Sequence, residues 1–323
     1  MKSVEVGGVR LSAIGLGTWQ FGSREWGYGE EYAGEESRRI VDRALDLGIN
    51  LIDTAEIYGF GASERIVGGA IGGRRDEAFL ATKIFPLLPV GPVVGDRARR
   101  SARRLGVDAL DLYQVHQPNP VVPDSVIMPP MRRLVDEGLV RHVGVSNYSL
   151  RRWQAADAAL GLPVLSNQVR YSLVDRRPEA QLLPWAQAND RLVIAYSPLG
   201  QGLLSARYDA ENRPGGVRAA NSLFLPENLA RAGELLDVLR GVASAHDATP
   251  AQVALAWVIR RPNVVAIPGA SSVVQLERNA EAADLELTDQ EDEQLTAASG
   301  RFSPVAGMPA FVGMARERFR RAS

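Results

Sequence analysis

The chain reads as an α/β protein: one (β/α)8 barrel over residues 1–323, with an N-terminal hairpin and long loops on the barrel's C-terminal face. Three observations predict this. Short apolar segments of strand character alternate about eight times with helical ones, the pattern of a parallel sheet that closes into a barrel. No change of composition marks a linker between two domains. A doubly wound sheet would open with G-x-G-x-x-G after its first strand, and GLGTWQFG at residues 15–22 does not supply it.

The elements follow in order. VEVGGVRLSAI (4–14) predicts a hairpin around Gly7-Gly8, and Leu16-Gly17-Thr18-Trp19 opens a loop holding Phe21, Trp26, Tyr28 and Tyr32. Ile40, Val41, Ala44, Leu45 and Leu47 have helical spacing over 36–48, with a stop at Gly48. The alternation continues with strand 50–53, helix 63–71, strand 78–82, helix 94–105, strand 110–115, helix 131–137 and strand 140–145. Helix 149–159, strand 164–169, helix 178–188, strand 192–196, helices 228–245 and 250–261, strand 264–267 and helix 273–281 complete it. Thr249 before Pro250 is a helix start, an N-cap followed by a first-turn proline. The helix start at 131 follows Pro129-Pro130, which leave the boundary there open. The irregular stretches are 19–35, 116–128, 197–227 and a tail from about 298; all but the tail follow strand C-termini, the face where barrels carry their chemistry. The tail, with Phe302, Met308, Phe311 and Met314, either folds over that face or frays.

Composition narrows the function. Apolar residues make up 46% and charged residues 23%, as in soluble globular chains. A formal net charge of −1 gives no field for nucleic acid or anionic lipid, and no apolar run reaches the ~18 residues of a membrane span. MKSVEVGGVRLSAIG lacks a signal-peptide apolar core, so the expected location is the cytoplasm. There are no cysteines, which removes disulfides, thiolate nucleophiles and cysteine metal sites. The chain holds 35 arginines and two lysines, Lys2 and Lys83. Lys83 ends an apolar strand in FLATKIF, where a guanidinium would be too bulky and permanently charged. The competing reading is an arginine-rich coding habit with one surviving lysine.

Four polar residues mark three successive strand tips: Asp53 and Tyr58 after one, Lys83 after the next, His116 after the third. On a barrel these tips share one rim, so the side chains can converge. A carboxylate, a lone lysine and a phenol are suited to proton transfer, because neighbouring charge tunes the phenol's pKa. A lone histidine is more often structural, but at this rim it reads as functional.

These residues carry a resemblance. DTAEIYG, LATK, DLYQVHQP, GLVRHVGVSNYS, NQVRYSLVDR, AYSPLGQGLL and IPGASSVVQLERNA resemble, in order, the signatures of the aldo-keto reductase superfamily over residues 14 to about 280. The resemblance implies a (β/α)8 barrel that reduces carbonyl compounds with NADPH. It implies a tetrad of Asp53, Tyr58, Lys83 and His116, with Tyr58 as proton donor and Lys83 lowering its pKa. Asp53 would keep Lys83 charged, and His116 would orient the carbonyl oxygen.

It also implies the cofactor contacts. Ser146, Asn147 and Gln168 would hold the nicotinamide carboxamide and Tyr196 would stack on its ring. The blander readings are a helix N-cap for Asn147 and a strand-end polar group for Gln168. The opening loop at Gly17, Thr18 and Trp19 and the loop of Ser197, Leu199, Gly200 and Gly202 would border the cofactor. Gly269, Ala270 and Ser271 precede a helix whose N-terminus would offer free N–H groups to the 2′-phosphate. Family members often place a cation at 271 or 272, where this chain has Ser271 and Ser272, and Arg278 stands where a glutamate usually precedes Asn279. Arg278, Arg207 or Arg218 would supply the charge, and NADH is the alternative coenzyme. IPGAS with Gln275 and Asn279 is similar to potassium-channel β subunits, although Tyr196 replaces the tryptophan expected there.

Reduction of aldehydes, dicarbonyls or ketones leads, with Trp19, Phe21 and Trp26 suggesting an aromatic pocket wall. A cofactor-binding sensor with little turnover is the second reading. A Schiff-base Lys83 is the third, opposed by Asp53, which would keep the ammonium charged. His116, His142 and His246 are too scattered for a zinc site. The oligomeric state has no signature in the chain.

Overall fold

The structure, a computed structural model, describes residues 1–22, 32–87, 89–310 and 314. Trp26, Tyr28 and Phe311 therefore lie outside the described residues. A hairpin of β1 (Ser3–Val6) and β2 (Val9–Ser12) precedes an eight-stranded parallel sheet. The sheet strands are β3 (Leu16–Gly17), β4 (Leu51–Asp53), β5 (Phe79–Ile84), β6 (Leu110–Val115), β7 (Val140–Ser146), β8 (Ser166–Arg170), β9 (Leu192–Tyr196) and β10 (Val264–Ala266). They neighbour one another in chain order. A parallel bridge between Ile14 and Ala266 joins last to first, with Gly15 N donating to Ala266 O at 2.8 Å and Ala266 N to Ala13 O at 3.0 Å. The sheet is thus a closed (β/α)8 barrel.

Strands buried on both faces need apolar residues throughout, and LDLYQV of β6 is buried along its whole length. Asp111 and Gln114 in it are partnered, whereas the buried Tyr113 Oη has no hydrogen-bond partner among the described residues. Asp111 faces the helices, pairing with Arg75 at 2.7 Å and Arg141 at 2.8 Å and accepting Leu80 N–H at 2.8 Å. Gln114 lies in register with Lys83 of β5 and Gly144 of β7, and Gly144 with Ser166 of β8. A Cβ at Gly144 would stand 2.4 Å from Ser166 Oγ and 2.9 Å from Gln114 Cγ, so glycine is what lets this polar layer fit. The hairpin covers the opposite end, burying Val4, Val6 and Leu11, while Ser12 N donates to Asn50 Oδ1 just before β4.

The helices are α1 (Ser37–Asp46), α2 (Ala62–Ile71), α3 (Gly91–Leu105), α4 (Asp124–Asp136), α5 (Leu150–Leu160), α6 (Leu182–Ala188), α7 (Pro226–Ala245), α8 (Pro250–Val258), α9 (Val273–Glu281) and α10 (Asp289–Arg301). Two expectations are corrected. Helix α4 begins seven residues before the expected 131 and runs through Pro129 and Pro130. Its buried Ile127, Met128, Met131 and Leu134 and the anchoring of Asp124 by Tyr148 (2.8 Å) and Arg152 (2.8 Å) outweigh the two missing N–H donors. Residues 298–301 are not tail but the end of α10, which starts with a Thr288/Glu291 capping box. Beyond it, Phe302 is buried, Val305 is tied to Asn228 of α7 (2.7 Å) and Met308 is exposed. Among the described residues, no helix is long and apolar enough to cross a membrane.

Helix α2, which follows the Tyr58 turn, is locked to β5 by a buried carboxylate. Glu64 accepts from Thr82 Oγ1 at 2.7 Å and from Arg104 Nε at 2.5 Å. Removing the guanidinium leaves a buried charge short of its partner, so Arg104→Ala should destabilise the fold by about 3 kcal/mol. Urea unfolding checks this, and a loss below about 1 kcal/mol would show that Glu64 is satisfied without it.

Candidate active site

Parallel pairing sets Asp53 opposite Ala81, so Lys83, two residues further along β5, points into the same interior. The geometry follows. Lys83 Nζ donates to Asp53 Oδ1 at 2.6 Å, to Thr54 O at 2.7 Å and to Tyr58 Oη at 3.5 Å. Lys83 is 0% exposed and Asp53 2%. The other oxygen of Asp53, Oδ2, accepts from Gln168 Nε2 at 2.7 Å and Gln114 Nε2 at 3.5 Å. His116 follows β6, its ring edge-on to Tyr58 with centroids 5.7 Å apart. Its Nδ1 is buried with no hydrogen-bond partner among the described residues. Asp53, Tyr58, Lys83 and His116 therefore meet at one point.

Burial dominates the electrostatics. It pushes the Asp53 carboxyl above the usual range, although Lys83 and the two glutamine amides pull it down. Each Asp53 oxygen faces an N–H donor, so a carboxyl proton would have no acceptor and the pair is held charged. Burial alone would lower Lys83, but the Asp53 carboxylate and Tyr58 outweigh it and raise its pKa. Tyr58 corrects an expectation: Lys83 does pull its pKa down, yet burial wins and the phenol lies above its ordinary value. Tyr58 thus keeps its proton at neutral pH. Burial, then the Lys83 charge, lowers His116 to about 3, which makes it a neutral imidazole.

A cavity of about 890 Å³ opens in front of Tyr58 on the C-terminal face, a volume suited to a cofactor with a small substrate. Gly17, Thr18, Trp19, Ser146, Asn147, Gln168, Tyr196, Ser197, Leu199, Gly202, Arg207, Arg218, Gly269, Ala270, Ser271, Ser272, Gln275, Arg278 and Asn279 all border it, as do Asp53, Tyr58 and His116. Asn147 is not a helix cap: Ser149 caps α5, and Asn147 stands at φ 61° between Tyr196 Oη, which donates to its Oδ1 at 2.9 Å, and Ser146 Oγ, which accepts from its Nδ2 at 3.0 Å. Gln168 is no idle strand-end amide, since its Nε2 is committed to Asp53.

Other expectations fail. Gly200 is buried beneath its loop and does not border the cavity. Lys83, as expected of a group behind Tyr58, meets the cavity only through Tyr58 and Asp53. Phe21 is fully buried core rather than pocket wall. The helix after β10 offers few free N–H groups. Ser271 N and Oγ both donate to Gln275 Oε1 (2.8 and 2.7 Å), Gln275 N donates to Ser272 Oγ (3.2 Å), and Val273 N donates to Glu36 Oε1 (3.2 Å). Residues not foreseen include Ile57 and Phe85 at the Tyr58 end, Gln20, whose Nε2 donates to Ala270 O at 3.0 Å, and Gln114 behind Asp53. Ile57 neighbours Tyr58 and Phe85 follows LATKI, so adjacency to the tetrad was a readable signal. Among the described residues no group of three or more metal-ligating side chains forms.

Residues 13–299 match the model of the Aldo/keto reductase family. The chain is 58% identical over 322 residues to an uncharacterized oxidoreductase of Mycobacterium tuberculosis, covering 99% of this chain and 100% of the relative. It is 34% identical over 290 residues to a methylglyoxal reductase of Escherichia coli, covering 88% of this chain and 90% of that one. A crystal structure of an aldo/keto reductase from Klebsiella pneumoniae in complex with NADP and acetate is similar with a TM-score of 0.74 and 32% identity, covering 95% of this chain and 97% of that one.

The low pKa of His116 has a measurable consequence. Above pH 6.5 neither the folded nor the unfolded state binds the proton; as pH falls from there toward 3 only the unfolded state does, so stability drops across that window. The His116 ring should show no NMR titration between pH 5 and 8, and a midpoint near 6.5 would contradict the burial argument.

Proposed function

Since the chain belongs to the aldo/keto reductase family and is an oxidoreductase, we propose that it reduces a small aldehyde, dicarbonyl or ketone with NADPH, Tyr58 delivering the proton. One observation carries the reading: a protonated phenol faces a cofactor-sized cavity while the ammonium behind it is sealed from that cavity. When bound, NADPH supplies the hydride that the carbonyl carbon receives. Tyr58 gives its proton to the carbonyl oxygen, Lys83 stabilises the phenolate left behind, and solvent later restores the proton. Asp53 keeps Lys83 charged and placed. Neutral His116 retains one N–H with which to donate to the same oxygen.

The cavity's donor set fits the dinucleotide. Gln168 turns its Nε2 toward Asp53, which leaves Oε1 as acceptor for a carboxamide N–H, and Ser146 and Asn147 stand beside it. Tyr196, held by Asn147, offers a ring to the nicotinamide. Arg207, Arg218 and Arg278 border the cavity, and Asp53 is the one carboxylate among its described lining residues, a charge balance that favours a phosphate-rich ligand. With the N–H groups of Ser271, Val273 and Gln275 at the start of α9 engaged by side chains, we assign the 2′-phosphate to Arg278, which borders the cavity. Trp19, Ile57 and Phe85 give the Tyr58 end an apolar rim for an uncharged carbonyl compound. The similarity to the E. coli methylglyoxal reductase supports dicarbonyls as the first substrates to try.

Tyr58→Phe should lower carbonyl-dependent NADPH oxidation by about 10²-fold or more while NADPH affinity, read by fluorescence, stays within twofold. Turnover at the parental rate would remove Tyr58 as the acid. Arg278→Ala should lower kcat/KM for NADPH by about tenfold and leave that for NADH unchanged. Equal losses with both coenzymes would place Arg278 away from the 2′-phosphate.

A further inference from the structure

Gln114 is fully buried inside the barrel and does not border the cavity. Its Nε2 donates to Asp53 Oδ2 at 3.5 Å, and its Oε1 accepts from Ser166 Oγ at 3.4 Å. Two bonds of that length compensate poorly for burying a primary amide, and a methionine would fill the space at less cost. Yet the fold makes room for this amide. Gly144, the residue in register with both Gln114 and Ser166, has no Cβ, and one there would strike both neighbours. Ser166 also fixes the amide's orientation, because a hydroxyl donating to Oε1 turns Nε2 toward Asp53.

We propose that Gln114 is a positioning residue for proton transfer: from inside the barrel it holds the second oxygen of Asp53 and so sets how firmly Asp53 grips Lys83 against Tyr58. The proposal rests on Tyr58 being the acid. Gln168 makes the shorter bond to the same oxygen, but Gln168 borders the cavity and its amide is shared with whatever binds there. Of the two amides on Asp53 Oδ2, Gln114 is the one outside the cavity lining. The charged and titratable groups facing this cluster are Lys83, Tyr58, His116 and, beyond Tyr58, Tyr196. None of these four can replace the amide; Tyr58 Oη is turned to Lys83. Lys83 is already on Oδ1, His116 is neutral, and Tyr196 donates to Asn147.

Losing this donor raises the proton affinity of Asp53, and a proton on Asp53 releases Lys83. In Gln114→Met the acid limb of the kcat/KM–pH profile should move up by about half a pH unit or more, with NADPH affinity within twofold of the parent. In the coenzyme-free variant, the infrared band of the protonated Asp53 carboxyl, assigned by its loss in Asp53→Asn, should appear at correspondingly higher pH. Ser166→Ala, which frees the amide to rotate, should move both in the same direction by less. It decides the matter if Gln114→Met does not fold. An unmoved acid limb and carboxyl band in the folded variant overturn the proposal, as does a shift matched by an equal loss of NADPH affinity. If Tyr58→Phe is inactive while these stay unmoved, only the role of Gln114 falls. If Tyr58→Phe turns over normally, the reading beneath it falls too.

Discussion

The ion pair between Lys83 and Asp53, 2.6 Å apart and almost wholly buried in the barrel, is the constraint on which the rest of the site depends. Burying two charges costs several kcal/mol per ion, and attraction offsets that only when the remaining lone pairs and protons also find partners. Every neighbour can be read as meeting that condition. Thr54 O takes the second ammonium proton and Tyr58 Oη the third, while Gln168 and Gln114 cover the free carboxylate oxygen. Gly144 and Ser166 then exist to seat Gln114. A barrel interior is ordinarily filled by branched apolar side chains. Here one layer, at the level of the strand tips, is polar because a charge must be kept inside it.

On the proposed role of Tyr58 as the acid, that arrangement explains why the phenol is hard to ionise at rest and yet able to give up its proton. At rest, burial holds the Tyr58 proton in place against the pull of Lys83. The ammonium lies close enough to matter only when negative charge develops on Tyr58 Oη. A fixed cation that waits behind a neutral donor acts mainly on the transition state, the condition for raising rate rather than merely tightening binding. His116 complements it. Kept neutral by burial and by the same ammonium, it can offer a hydrogen bond without adding a second positive charge to the pocket.

Much of this was legible in the chain, and the remainder was hidden for definable reasons. Eight alternations of strand and helix predict the barrel, and Asp53, Lys83 and His116 stand out because each is a polar residue ending an apolar strand. Gln114 sits inside LDLYQV, where sequence alone does not say which face a side chain takes until the register with Lys83 and Gly144 is known. The start of α4 was masked by Pro129-Pro130, a local signal overruled by tertiary anchoring of Asp124 from Tyr148 and Arg152. The N-terminus of α9 looked open because its occupants are remote or subtle: Glu36 lies more than two hundred residues away, and Gln275 folds back on Ser271. The net pKa of Tyr58 likewise depends on how deeply it is enclosed, a quantity no motif contains.

The division between lysine and arginine has the same physical origin. Arginine serves as the partner of the buried carboxylates Glu64, Asp111 and Asp124, where a planar fork can bond a carboxylate in a defined geometry. Arginines also border the cavity, where phosphate oxygens would call for the same fork. At Lys83 the requirement differs. Three acceptors lie around a single point, at a carboxylate, a carbonyl and a phenol, and a compact ammonium can reach all three where a guanidinium would have to displace Tyr58. A chain that otherwise uses arginine almost throughout therefore keeps lysine at the interior place where the cation must stand behind the Tyr58 phenol without crowding it.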